Sequence, residues 1–240
     1  MTTQGFQRRE ALRMATFAAL SGLLAPSRLI AASPAPELAG NLRKFAEKWV
    51  GPGKVPGMVI ALGLPQRETR YIAQGSEGFL DADVIGPDTL FRIYSMTKPV
   101  TGMAAMLLVD EGKIGLDQPI ADFLPKFAKM MVQVTPDGSV TDVRPAKNQI
   151  TVRHLVTHTS GLSYGIVQTG PIRQVLFDKG LIPGQVSHLK IPALDRGQKV
   201  KGLAAFADGM ATMPLVYEPG TKWSYSSGLA LMGRLIEVVS

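Results

Sequence analysis

The chain has 240 residues, 45% of them hydrophobic, a formal charge of +7 and no cysteine. That length and apolar content provide for one sizeable core or two small ones, and the missing cysteine excludes disulfides, thiol chemistry and thiolate metal sites. Arg8, Arg9, Arg13 and Arg28 against Glu10 place +3 of the charge in residues 1–32, and the remaining +4 is dispersed with no Lys/Arg run and no interleaved aromatics, so nucleic acid is not an expected partner.

The first element is an export signal over residues 1–32. Adjacent Arg8 and Arg9 head an apolar stretch from Met14 to Leu24, and Ala31, Ala32 and Ser33 supply small residues after it. This is twin-arginine-like anatomy. The apolar stretch is well short of the roughly 20 residues a spanning helix needs. A cleaved signal, a periplasmic or secreted product and no stable membrane span after cleavage are therefore expected.

Leu38, Leu42, Phe45, Ala46 and Trp49 recur at helical spacing, which predicts an amphipathic helix over residues 37–50, stopped by Gly51, Pro52 and Gly53. "GMVIALGL" and "RETRYIAQGSEGF" read as two strands joined at "PQRE" in an antiparallel hairpin. Residues 37–95 are thus expected to begin an α/β sheet domain. Val100, Met103, Ala104, Leu107 and Leu108 fall on one helical stripe, expected to be core, and Gly112 closes that helix. "VQVTPDGSVTDVR" places Asp137-Gly138 between two β-branched runs and predicts a small hairpin near residues 131–144. Helical periodicity returns at 151–157, 171–179, 199–211 and 228–239, so residues 96–240 are read as mostly helical. Two predicted strands make a poor sheet alone, and the last residues stop inside helical periodicity, so the domain is expected to continue beyond this chain.

Ser95-Met96-Thr97-Lys98 stands at the head of the helix that carries the apolar stripe. Side chains three apart share a helix face, so Ser95 and Lys98 can touch. Pro99 is tolerated only in a first turn, which fixes Ser95 at or beside the helix N-terminus. There the positive helix end favours an oxyanion beside the serine. The same field, with burial, weakens the ammonium form of Lys98, so it can accept the serine proton. Against this, Ser-x-x-Lys is a common pattern, and a serine before a helix is often only a cap.

Three stretches change the balance: "FRIYSMTKPVTGMAAMLLVDEGKIGLDQPIADFLPKF", "ITVRHLVTHTSGLSYG" and "YEPGTKWSYSSGLALMGRLIE". In order and spacing they resemble the serine β-lactamase and penicillin-binding-protein-like hydrolases, most closely the class C β-lactamases and family VIII carboxylesterases, over most of residues 37–240. The resemblance implies an α+β fold of the β-lactamase/transpeptidase type, with a mainly helical domain beside an antiparallel sheet domain whose sheet is incomplete in this chain. It implies that Ser95 is the acylated nucleophile, Lys98 its proton-accepting partner and Tyr225 the tyrosine that shares or relays the proton. It places Ser227 at a substrate-contacting position where β-lactamases of this type carry Asn, a departure that favours ester over lactam. The family's third element, a Lys/His/Trp-x-Gly segment on a late strand, has no counterpart, which keeps a non-catalytic remnant or binding protein as a rival. The implied substrate is a small ester, with a lactam or D-amino-acid peptide as the alternative, and no metal or organic cofactor is implied.

Other candidates fall away. His154 and His158 are four apart on a predicted helix, as zinc ligands can be, but no general-base glutamate follows the first, and they read as structural histidines. Gly161, Gly165 and Gly170 have no phosphate-loop spacing, and Met130-Met131 reads as core.

Overall fold

The computed structural model describes residues 35–182 and 200–240, and the export signal expected over residues 1–32 lies outside them. The chain divides into two units, one ending at Phe91 and one beginning at Arg92.

In the first unit, helix α1 (Ala35–Trp49) carries Glu37 in its first turn and Lys48 in its last, each complementing the helix dipole. It packs on strands β1 (Gly57–Leu62) and β2 (Arg70–Gly78). These two strands are the expected hairpin, antiparallel with Gly57 opposite Gly75 and Leu62 opposite Arg70. Gly75 has φ +88, and a Cβ there would lie 2.2 Å from the Pro56 carbonyl, so only glycine fits. A third strand, β3 (Asp81–Val84), continues the antiparallel sheet in the order β1-β2-β3. Its sequence, Asp-Ala-Asp-Val, alternates polar and apolar residues over only four positions, the shortest run that signals a strand, and all four are exposed, so it buries no apolar face.

The second unit holds the larger core. A single turn of 3-10 helix (Tyr94–Met96) runs into α2 (Thr97–Asp110). The end of α2 is a Schellman motif: Gly112 (φ +69) donates to Val109 O and Lys113 N–H to Leu108 O. Strands β4 (Met131–Gln133) and β5 (Val143–Pro145) pair antiparallel with Val132 opposite Arg144. The expected hairpin is therefore present, with a longer connection in which Gly138 N–H donates to Thr135 O and Asp137 has φ +59. Helices α3 (Val152–Val156), α4 (Pro171–Asp178), α5 (Gly202–Ala211) and α6 (Gly228–Val239) follow where the periodicity puts them. Helix α6 is the hub. Its Leu231, Met232 and Leu235 are fully buried, and α2, α3 and α5 pack against it.

Two expectations about burial need correction. In the α2 stripe, Leu108 is buried, but Val100, Met103 and Leu107 are 59%, 69% and 64% exposed. Residues 103–109 are apolar all round, so their periodicity selects no face, and packing against α6 selects Ala105 and Leu108 instead. Of the methionine pair, Met130 is core, whereas Met131 is 37% exposed because successive residues entering a strand point to opposite faces. No helix among the described residues is long and apolar enough to cross a membrane.

Candidate active site

The site is built where the 3-10 turn meets α2. Tyr94 has φ +43, an uncommon conformation for a residue with a side chain. The turn then closes with Met96 N–H donating to Ile93 O at 2.9 Å. Side chains three apart are nearly eclipsed in this tight helix, and Lys98 Nζ donates to Ser95 Oγ at 3.3 Å. Pro99 sits in the first turn of α2, where its missing N–H leaves no gap in the helix ladder.

Tyr225 reaches the same oxygen from far along the chain: its hydroxyl donates to Ser95 Oγ at 2.8 Å. It lies in an irregular segment held along residues 158–161 by Val216 N–H to Gly161 O (2.8 Å), Gly220 N–H to Thr159 O (2.8 Å) and Ser224 N–H to His158 O (2.9 Å). Gly161 has φ +76, and a Cβ there would stand 2.0 Å from the Tyr217 carbonyl, so glycine is what lets the two segments lie together. The segment's other side is held by Glu218, whose carboxylate accepts from Arg144 Nη1 (2.6 Å) and from the backbone N–H of Lys147 and Asn148.

Electrostatically the site makes the phenol easier to ionise than a free tyrosine. Burial pushes the Tyr225 hydroxyl up, but hydrogen bonds with Lys98 and Ser95, together with the Lys98 charge, outweigh it, so Tyr225 titrates below the usual 10.0. The Lys98 ammonium also lies 4.9 Å from the centre of the Tyr225 ring. The ring is flanked by His158 (centroids 4.7 Å apart) and Tyr164 (5.6 Å). His158 is itself shifted down, first by burial and then by the Lys98 charge, which favours neutral imidazole.

Ser227 is 2% exposed and its hydroxyl donates to Ser163 O at 2.7 Å. It stands just before α6 and borders the same cavity as Ser95 and Lys98. That cavity, about 440 Å³, is mostly apolar, with Ile93, Tyr94, Tyr164, Leu229 and Ala230 in its wall. Its size suits a small organic molecule. The structure therefore brings Ser95, Lys98 and Tyr225 within contact of one oxygen and sets Ser227 at the cavity wall with its hydroxyl engaged by the protein.

The two histidines do different work. His154 completes a capping box: its N–H donates to Thr151 Oγ1 and its Nδ1 accepts from Thr151 N–H. His158 instead faces Ser226 and Tyr225. Reading the sequence missed His158 and Tyr164 as parts of the site. The "HTSGLSY" stretch that contains both is visible, but the approach of residues 158–164 to residues 224–227 is set by tertiary folding.

Residues 41–240 match the Beta-lactamase family. The chain is 38% identical over 174 residues to an uncharacterized protein of Mycobacterium tuberculosis, covering 71% of this chain and 39% of that protein. It is 30% identical over 184 residues to Esterase EstB of Burkholderia gladioli, covering 75% of this chain and 41% of the esterase. Among solved structures, EstCE1, a hydrolase with promiscuous acyltransferase activity, superposes with TM-score 0.65 at 25% identity over 84% of this chain and 47% of that one. The chain thus spans less than half the length of these relatives. By the extent of the family match and by its mixed helix and antiparallel-sheet fold, the chain belongs to the Beta-lactamase family of hydrolases and acyltransferases, which includes esterases.

Proposed function

We propose that the protein is a serine hydrolase that acts on small carboxylic esters through an acyl-enzyme at Ser95. The observation that carries this reading is the convergence of Lys98 Nζ (3.3 Å) and Tyr225 OH (2.8 Å) on Ser95 Oγ. In the proposed reaction, the Lys98 charge stabilises the ionised form of Tyr225, which takes the Ser95 proton as Oγ attacks the ester carbonyl. The Ser95 backbone N–H at the helix start is a donor for the oxyanion. Collapse breaks the ester C–O bond, and the proton passes to the departing alkoxide. Water then attacks the acyl-enzyme along the reverse proton path, releasing the acid and restoring Ser95.

Ester is favoured over lactam by Ser227. The position implied to contact a substrate amide holds a short hydroxyl already donating to Ser163 O. The esterase relative from Burkholderia gladioli points the same way. The reading also places the protein outside the cytoplasm, on the pattern of residues 1–32 alone; replacing Arg8 and Arg9 with lysine should then retain it in the cytoplasm.

The test is hydrolysis of p-nitrophenyl acetate and of a chromogenic cephalosporin by the native chain and by Ser95→Ala. The reading expects faster ester turnover that disappears in Ser95→Ala. Faster cephalosporin turnover would reverse the substrate assignment, ester turnover persisting in Ser95→Ala would displace the site, and no turnover by the folded native chain would favour a non-catalytic member of the family.

A further inference from the structure

We propose that His158 is the positioning residue for Tyr225, holding the phenol on Ser95 through a ring stack and through hydrogen bonds to the residues on either side of it. This rests on the reading above, in which Tyr225 handles the Ser95 proton.

One residue makes three kinds of contact to a stretch of three. The His158 carbonyl accepts from Ser224 N–H at 2.9 Å, and its Nδ1 accepts from Ser226 N–H at 3.2 Å. Between these anchors its ring lies against the Tyr225 ring, 4.7 Å between centroids and inclined by 32°. Ser226 Oγ is also 3.1 Å from Nδ1 and accepts from Gly228 N–H, so the same imidazole is tied to the first residue of α6. The chain on both sides of Tyr225 is thereby fixed, and the ring between His158 and Tyr164 has little room to turn away from Ser95.

The backbone supports a specific requirement at this position. His158 has φ +57, in the left-handed region, which Asn and His enter more readily than most residues with a side chain. The Nδ1 atom accepts a backbone N–H, so it carries no proton itself, and the neutral ring keeps its hydrogen on Nε2. A second cation here would also face Lys98, whose charge already bears on His158. Nothing in this geometry touches Ser95 directly. The contribution of His158 passes through Tyr225, and an effect of about 100-fold is in keeping with misplacing a reacting group by about an ångström.

Three variants separate positioning from simple support of the fold. His158→Asn keeps an acceptor at the Nδ1 position and tolerates the backbone conformation but removes the ring, His158→Gln carries its acceptor one bond further out, and His158→Ala removes both acceptor and ring. Two readouts are followed in the full chain: the second-order rate of Ser95 labelling by a fluorophosphonate, read by intact mass, and the ultraviolet titration of Tyr225, taken as the difference from Tyr225→Phe. The proposal expects His158→Ala to slow labelling about 100-fold and to move the Tyr225 titration up, while His158→Asn recovers labelling to within about tenfold, half of the loss on a logarithmic scale. A folded His158→Ala chain with native labelling and a native Tyr225 titration overturns it. If alanine prevents folding, Asn and Gln decide: Asn well above Gln supports the proposal, and equal rates overturn it. If native Ser95 is not labelled at all, the catalytic reading fails by itself, and the Tyr225 titration in the variants still tests the positioning.

Discussion

Replacing Tyr225 with Phe removes one oxygen and leaves the ring. The lost oxygen donates to Ser95 Oγ at 2.8 Å, while the contacts with His158 and Tyr164 belong to the ring and survive. If the phenol carries the serine proton, kcat/KM for p-nitrophenyl acetate should fall about 10²- to 10⁴-fold, which corresponds to roughly 2.7 to 5.4 kcal/mol of barrier. Stability should hardly change. One hydrogen bond is worth about 1 kcal/mol at most here, and the site is open to solvent, so Tm should move by no more than about 4 °C. The native profile of kcat/KM should also rise with pH through the Tyr225 titration, which lies below 10.0, and that rise should be absent from Tyr225→Phe. The assay is initial-rate hydrolysis from pH 6 to 10, paired with thermal unfolding by circular dichroism. A variant that keeps more than about a third of native kcat/KM, or that loses activity only because it unfolds, would refute the assignment of the proton to Tyr225.

Other predictions concern the frame. Leu108→Ala should cost about 2–4 kcal/mol in chemical denaturation because it opens a cavity against α6, whereas Leu107→Ala, at a position 64% exposed, should stay within about 0.5 kcal/mol; equal losses would contradict the corrected face of α2. Glu218→Ala should destabilise by about 1–2 kcal/mol, since its carboxylate, 11% exposed, accepts from Arg144 and from the backbone N–H groups of Lys147 and Asn148; a change below about 0.5 kcal/mol would show that the carboxylate does not anchor the Tyr225 segment. Burial lowers the titration of both His154 and His158, so the unfolded chain takes up these protons first, near pH 6.5. The contribution of neutral histidine is complete above that pH and declines as pH falls toward the folded values. The urea midpoint should therefore drop between pH 7.5 and 5.5, and less steeply in His158→Asn; identical slopes in the two proteins would contradict this.

Much of the fold is legible in the residues because local and global preferences coincide. Gly112 follows the last turn of α2 and closes it, and the periodicity at 228–239 belongs to the most buried helix of the second unit. The misses have physical causes. Strand β3 is four residues long and exposed throughout, so its pairing with β2, not a buried face, defines it. The α2 stripe is ambiguous because residues 103–109 are apolar on every side, and only tertiary packing chooses between Leu107 and Leu108. At the site, the Ser95–Lys98 contact is written into spacing three on a helix. Tyr225 is 130 residues from Ser95, and periodicity says nothing about so distant an approach; the resemblance alone points to it. His158 illustrates the remaining gap. Its spacing from His154 invites a shared helical face, yet α3 ends at Val156 and His158 turns left-handed, so the two rings serve different partners.

Activation of Ser95 as a nucleophile is read from intact mass spectrometry after exposure to a serine-reactive phosphonate. One adduct is expected on the native chain, mapped by proteolysis to the peptide containing Ser95, and none on Ser95→Ala under the same conditions. A folded native chain that gains no mass, or an equal adduct on Ser95→Ala, would contradict it.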